Sequence, residues 1–221
     1  MKLITSISTL ELTEYVTSQC NLYFPDNQKI KAADLLNCVK KTLIKIEYCF
    51  NFINLPYYNY NNSPFFNHLN GDHYCIFLCY LSRVVFVETN DVDLASKIFL
   101  LNKSLFGIDA YYGIELPDIF MVVHPVGTIL GRAKYSNRLV VYQGVTVGAT
   151  IDGVYPVFSE NTILYSNSSI IGKCQIGNNF ILGANSTLVN VNIENNKTVV
   201  GTFPNNKIIE GKNIFTHYFK I

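Results

Sequence analysis

A large aliphatic or aromatic residue returns at every sixth position through one continuous stretch of this chain. The spacing holds at Phe158, Leu164, Ile170, Ile176, Leu182 and Leu188. This period matches neither the 3.6-residue repeat of an α-helix nor a single long β-strand. It is typical of a parallel β-helix, in which three six-residue faces form one triangular coil and each large side chain points inward.

The same register continues upstream with interruptions. The inward positions there are predicted to be Leu116, Val122, Leu130, Val141 and Val147. Three steps exceed six residues: those from Val122 to Leu130, from Leu130 to Val141 and from Val147 to Phe158. We therefore expect an excursion from the coil between Val147 and Phe158, because a stacked coil otherwise tolerates no extra residues.

The first half of the chain has a helical period instead. From Leu35, apolar residues recur at intervals of three and four, at Leu36, Val39, Leu43, Ile46 and Phe50. A second helix is predicted to be capped by Asp72, and a third to be capped by Asn90 or Asp91 and ended by Gly107. The sequence therefore predicts an α+β protein, with a helical domain at 1–107 and a β-helix with a C-terminal tail at 108–221.

Composition argues against several classes of protein. Seventeen basic against sixteen acidic residues leave a formal charge of +1, whereas nucleic-acid binding depends on basic contacts to phosphate. The most apolar stretch, 75–87, is too short for a membrane helix of about 20 residues. The N-terminus soon meets Glu11 and Glu14, so it lacks the apolar core of a secretory signal, and a cytoplasmic protein is expected.

The six cysteines are predicted to be reduced thiols in the core, because disulfides are rare in that compartment. Cys75 and Cys79 lie one helical turn apart, but no second pair of ligands completes a zinc site, so they are interpreted as helix packing. A zinc carbonic anhydrase on a β-helix needs three histidines from neighbouring coils. The other histidines, His68, His73 and His217, lie outside the repeat, so no metal is expected.

Four segments resemble successive sequence blocks of the hexapeptide acyltransferases, and in particular of the serine acetyltransferases. They are LNKSLFGID at 101–109, HPVGTILG at 124–131, QGVTVGAT at 143–150 and, less closely, VGTFPNNK at 200–207. The resemblance implies a left-handed β-helix after a helical domain, a homotrimer with active sites between neighbouring subunits, and acetyl-coenzyme A as donor. The six-residue period alone implies none of these.

Acetyl transfer needs a base that removes a proton from the acceptor, and His124 is the one histidine of the repeat region. By resemblance His124 is the catalytic histidine, and Asp109, fifteen residues earlier, is its carboxylate partner. A carboxylate on the second ring nitrogen would hold the imidazole in the tautomer that accepts a proton. The alternative is structural: His124 ends a strand at a corner of the coil, and Asp109 ends the helical linker.

The acceptor is harder to predict because three family positions differ. The excursion offers Tyr155 where the family has a histidine, and a phenol is a poor base at neutral pH, so Tyr155 is either a hydrogen-bond donor or loop packing. Val123 and Val154 replace an acidic and a basic residue that hold an amino acid. The expected acceptor is therefore a sugar hydroxyl or amine of bacterial surface polysaccharide; serine itself and a non-catalytic trimeric scaffold remain alternatives.

The donor groove is predicted from small residues that let the backbone approach the pantetheine arm. By resemblance these are Gly148, Ala149, Ser166 and Ala184, with Lys207 reaching a coenzyme phosphate. Ser166 and Ala184 are one full coil apart, so they are expected to stack. The alternative is that tight corners favour small residues anyway and that Lys207 is a solvated surface charge.

Overall fold

The structure, a computed structural model, describes residues 2–220. Long helices make up most of its first half: α1 (Thr9–Tyr23), α2 (Ala32–Asn51), α3 (Gly71–Thr89) and α4 (Val92–Phe106). A small sheet of β1 (Ile4–Thr5), β2 (Asn59–Tyr60) and β3 (Ser63–Phe66), with β3 in the middle, packs against α2. The predicted helices are confirmed at α2, α3 and α4.

The helix boundaries follow from capping, with one correction. Asn70 rather than Asp72 caps α3, because Asn70 is extended and its Oδ1 accepts the N–H groups of Asp72 and His73, whereas Asp72 is already helical. Asp91 caps α4, and Gly107 ends it in the left-handed conformation at φ 68°. Both ends of α4 therefore match the prediction.

Helix α1 was not predicted, although the sequence carries a signal for it. Ser8 Oγ accepts the N–H of Glu11, and the Glu11 carboxylate accepts the N–H of Ser8, which is a reciprocal capping box. The helix buries Leu12, Val16 and Cys20. The helical region therefore begins well before Leu35.

The second half is a left-handed parallel β-helix with three faces. The first face stacks β5 (Phe120–Val123), β7 (Leu139–Tyr142), β10 (Thr162–Leu164), β13 (Phe180–Leu182) and β15 (Lys197–Val200), with β16 (Lys207–Glu210) antiparallel at its end. The second face stacks β4 (Asp109–Ala110), β6 (Ile129–Leu130), β8 (Thr146–Gly148), β11 (Ser169–Ile171) and β14 (Thr187–Val189). The third face pairs β9 (Val157–Phe158) with β12 (Gln175–Ile176).

The interior of the coil confirms the six-residue register. Register pairs align Leu164 with Leu182, Ile170 with Leu188 and Phe158 with Ile176, and all six side chains are buried. Upstream, four of the five expected inward residues are buried in strands. Leu116 is the exception: it is only half-buried, because it lies in the loop that joins β4 to β5 outside the stacked coil.

The end of the chain returns to the helical region. A short helix α5 (Phe215–Tyr218) buries Phe215, and Phe219 forms an antiparallel bridge with Ile53 just after α2. The backbone N–H of Asn54 donates to the Tyr218 carbonyl at 2.8 Å. This C-terminal segment therefore packs against the first face of the coil and against the helical region at once.

Helix α3 lies in the middle of the helical region, where it packs against α2, α4 and β5. Cys75 and Cys79 are buried in this helix, and the other four cysteines are buried elsewhere in the chain. The Asn102 amide donates to Cys79 Sγ at 3.2 Å. The interpretation of these two thiols as helix packing is confirmed. Across residues 2–220, no helix combines the length and apolar character needed to cross a bilayer.

Candidate active site

His124 begins the corner between the first and second faces, directly after β5. It is exposed and has a φ of 50°, a left-handed conformation that the other turns of this coil give mostly to asparagine or glycine. Its carbonyl accepts the N–H of Val126 at 2.7 Å, which closes the turn. Such a conformation costs about 1–3 kcal/mol and persists only where the surroundings hold it, which is common at functional sites.

A carboxylate from the helical region holds this turn. The backbone N–H of His124 donates to Oδ1 of Asp72 at 3.1 Å, and Asp72 is the second residue of α3. Burial raises the pKa of Asp72 above its ordinary value, although the hydrogen bond from His124 and the charge of His124 oppose this rise. Sequence reasoning did not find this contact, because the two residues are separated by 52 positions and no local pattern connects them.

Asp109 lies in the same corner as His124 but has a different partner. Its N–H donates to the Thr128 carbonyl at 2.8 Å, and Gly127 donates to Gly107 at 3.1 Å, so the first coils stack here. The Asp109 carboxylate binds Lys103 Nζ at 2.6 Å, and its hydrogen bonds among residues 2–220 do not include His124. The pairing of Asp109 with the imidazole stays a prediction.

Tyr155 packs on the opposite side of the second face. A side-chain carbon on Gly131 would lie 2.7 Å from the Tyr155 ring, so the glycine makes room for the phenol. Lys134 donates its N–H to the Pro156 carbonyl at 3.1 Å, which ties the end of the excursion to the third face. Within one chain, Tyr155 therefore has a packing role and is separated from His124 by the width of a face.

The predicted donor residues fall on two edges of the second face. Ser166 and Ala184 stack as expected, because Asn185 donates to the Ser166 carbonyl at 2.9 Å. The strand register places them in line with two upstream residues, and we call these four the corner row: His124, Gln143, Ser166 and Ala184. Lys207 starts β16 and pairs with Val200 at the far end of this row.

Gly148 and Ala149 lie at the other edge of the same face. Gly148 ends β8 and pairs with Ile171, so the width of the second face separates it from the corner row. One chain therefore does not bring the five predicted donor residues together.

Tyrosines flank the corner row on the side of the first face. Tyr142 pairs in register with Val123, its ring lies 5.0 Å from that of Tyr165, and its hydroxyl lies 2.8 Å from that of Tyr218. Burial raises the pKa of Tyr165 and of Tyr218 to about 12, so both are neutral at physiological pH. The C-terminal segment thus adds a hydroxyl-lined wall next to the candidate histidine.

A separate cleft of about 740 Å³ lies between α3 and the third face. Its lining includes Tyr80, Arg83, Tyr111 and Tyr135 but neither His124 nor Asp109. The candidate site is thus outside this cleft, at an open corner of the coil. Among residues 2–220, no three His, Cys, Asp or Glu side chains are grouped to hold a metal ion.

Sequence comparison relates the chain to known enzymes. No family model matches the chain. A serine acetyltransferase from Synechococcus elongatus is 29% identical over 105 residues, which cover 46% of this chain and 43% of that protein. One from Staphylococcus xylosus is 27% identical over 112 residues, covering 49% of this chain and 51% of that protein. The chain thus spans about half the length of the curated relatives it matches.

Comparison with solved structures extends the likeness to the helical region. The serine acetyltransferase of Brucella abortus strain S19 in complex with coenzyme A has a TM-score of 0.67 at 16% identity, covering 94% of this chain and 84% of that one. The Neisseria gonorrhoeae enzyme in complex with serine has a TM-score of 0.65 at 18% identity, covering 90% and 83%. The chain therefore has the fold of the serine acetyltransferases.

Proposed function

We propose that this protein transfers an acetyl group from acetyl-coenzyme A to the hydroxyl of L-serine, with His124 as the base. The observation that carries the proposal is the exposed imidazole, held in a left-handed turn at the head of the corner row with a carboxylate bound to its backbone. Strain of this kind is found where a side chain has to be aimed. The chain is also similar in sequence to serine acetyltransferases over nearly half of its length.

The chemistry needs no covalent enzyme intermediate. His124 removes the hydroxyl proton, the hydroxyl oxygen attacks the thioester carbonyl, and the carbon–sulfur bond breaks. The proton on His124 then passes to the departing coenzyme A thiolate, so the imidazole is restored. Asp109 orients the ring in this proposal, which requires its carboxylate to turn toward the imidazole when the substrates bind.

The corner row suits the donor. From His124 to Ala184 the row crosses three strand spacings, which is about 14 Å along the coil. Small side chains at Ser166 and Ala184 expose backbone amide groups to an extended ligand, and Lys207 supplies a cation at the far end. A related structure of the same fold was solved with coenzyme A bound.

The acceptor assignment differs from the sugar expected from the sequence. That expectation depended on Val123 and Val154, which remove the acidic and basic partners of an amino acid. Asp72 offers a carboxylate beside His124 that the sequence did not suggest, and an ammonium group can bind it. The comparisons also favour serine, since the relatives described above are named serine acetyltransferases.

An acceptor panel tests the assignment. Coenzyme A release is measured with acetyl-coenzyme A and, in turn, L-serine, sugar nucleotides and oligosaccharides, and the product is identified by mass spectrometry. We expect L-serine to have the highest kcat/KM. A higher value for a sugar would restore the polysaccharide alternative, and no release above thioester hydrolysis with any acceptor would favour the non-catalytic scaffold.

The proposal also requires a homotrimer, because a single chain leaves the two donor edges apart. Closed three-fold symmetry lets each chain present its corner row to the Gly148 edge of a neighbour. Light scattering should give about three times 25.0 kDa. A fully active monomer at micromolar concentration would contradict a site shared between chains.

A further inference from the structure

We propose that Asp72 is a positioning residue, which holds the backbone of His124 in the left-handed turn and so aims the imidazole at the acceptor hydroxyl. This inference rests on the proposed function. It assigns a task in the β-helix to a residue of the helical region, and it gives the contact between the two regions a role in the chemistry. Asp72 acts through His124 and does not itself take the proton.

The N–H group of His124 needs a partner from outside the sheet. The register of β5 with β7 ends at Val123 and Tyr142, so His124 lies just beyond the ladder. Its N–H points to Asp72 Oδ1 at 3.1 Å, while its carbonyl is used within the turn by Val126. The carboxylate therefore takes the place of the strand partner that the corner lacks.

Asp72 is itself held firmly enough to serve as an anchor. The Asn70 side chain accepts its N–H at 3.0 Å and so fixes the first turn of α3. The next residue, His73, is fully buried, and its Nδ1 accepts the N–H of Asn67 at 3.1 Å. The backbone of Asp72 is thus held by the first turn of α3 and by the core of the helical region.

Loss of the Asp72 carboxylate should reduce turnover while the protein stays folded. A left-handed residue freed from its partner can relax to an ordinary conformation, and the imidazole then moves with it. Displacement of a catalytic group by about 1 Å can reduce the rate about 10²-fold. The effect should appear in kcat, since the donor contacts the corner row elsewhere.

Two substitutions separate the hydrogen bond from the charge. Asp72→Asn keeps an oxygen that can accept the His124 N–H but removes the negative charge, whereas Asp72→Ala removes both. Asp93→Ala is the matched control, because Asp93 is also the second residue of a helix, is exposed and lies away from His124. Any general effect of a first-turn acid on its helix appears in this control as well.

We expect Asp72→Ala to lower kcat for L-serine about 10–10²-fold. Asp72→Asn should recover most of that kcat while raising the KM for serine, because the ammonium loses its charged partner. Amide hydrogen exchange at His124 should speed up at least about 10-fold in the alanine variant and much less in the asparagine variant. Asp93→Ala should change neither kcat nor exchange at His124.

Equal losses of kcat in Asp72→Ala and Asp72→Asn would overturn the positioning role, because charge alone would then explain them. Unchanged kcat in Asp72→Ala would overturn it too. Hydrogen exchange does not depend on the identity of the acceptor. If the proposed function is wrong, the wild type shows no turnover of L-serine, but exchange at His124 still reports whether Asp72 holds the turn. The two failures can therefore be told apart. Unaltered exchange at His124 in the alanine variant would contradict the proposal.

Discussion

Lys103 Nζ lies 2.6 Å from Oδ2 of Asp109, so the carboxylate expected to orient His124 is bound to a cation in the single chain. Both side chains of this ion pair are partly exposed. Exposed pairs contribute about 0–1 kcal/mol, so the carboxylate can turn away from Lys103 at little cost. The ion pair and the proposed dyad are thus compatible as two states of one side chain.

Asp109→Asn should lower kcat, but by less than His124→Ala, since the base survives in a poorer mixture of tautomers. Coenzyme affinity should change little. Lys103→Ala is the control, and its kcat should stay within about threefold of wild type because the pair contributes so little. If Lys103→Ala cost as much as Asp109→Asn, the carboxylate would be part of a structural ion pair and would not orient the base.

Tyr155→Phe should lower kcat by less than about threefold, since the ring packs on Gly131 with or without its hydroxyl. Steady-state kinetics with L-serine measure this directly, alongside Asp109→Asn. A larger loss in Tyr155→Phe than in Asp109→Asn would mean that the phenol acts in a neighbouring subunit's site. The excursion would then carry part of the chemistry.

His73 should make stability depend on pH. Burial among aromatic rings lowers its pKa to about 3, whereas the unfolded chain has an ordinary histidine pKa near 6.5. Because the folded pKa is depressed, the unfolded state binds more protons between these values. The stabilisation is complete above about pH 6.5 and is lost as the pH falls, by up to about 1.4 kcal/mol for each pH unit.

Urea unfolding at pH 7 and pH 5 measures this effect. The wild type should lose about 2 kcal/mol more than His73→Gln does over that interval. His217→Gln, at an exposed histidine, should behave like the wild type. An identical pH dependence in wild type and His73→Gln would show that His73 titrates normally in the folded state.

The coil was predictable because its register is local. The six-residue spacing of Leu164, Ile170 and Ile176 specifies which side chains point inward without knowledge of any distant contact. All three side chains are buried in the structure. Helix α1 is also predictable in principle, since Ser8 and Glu11 form a recognisable capping box. The apolar period described above begins only at Leu35 and therefore does not include this helix.

The candidate site was harder to predict from the sequence, because its contacts join segments that are distant along the chain. Asp72 meets His124 only after α3 has docked on the first coils, and its sequence context indicated nothing more than a helix start. The sugar prediction depended on Val123 alone for the acidic partner and therefore missed a carboxylate supplied from another region. Val154 is exposed, and its interpretation as the place of a lost basic partner stays a prediction.

If His124 removes the acceptor proton, its loss should affect turnover and leave the donor site intact. Acetyl transfer to L-serine and coenzyme A binding are measured in the wild type and in His124→Ala. We expect kcat to fall about 10²–10⁴-fold while the dissociation constant for coenzyme A stays nearly unchanged. Wild-type turnover in His124→Ala, with the protein folded and trimeric, would show that His124 is not the base.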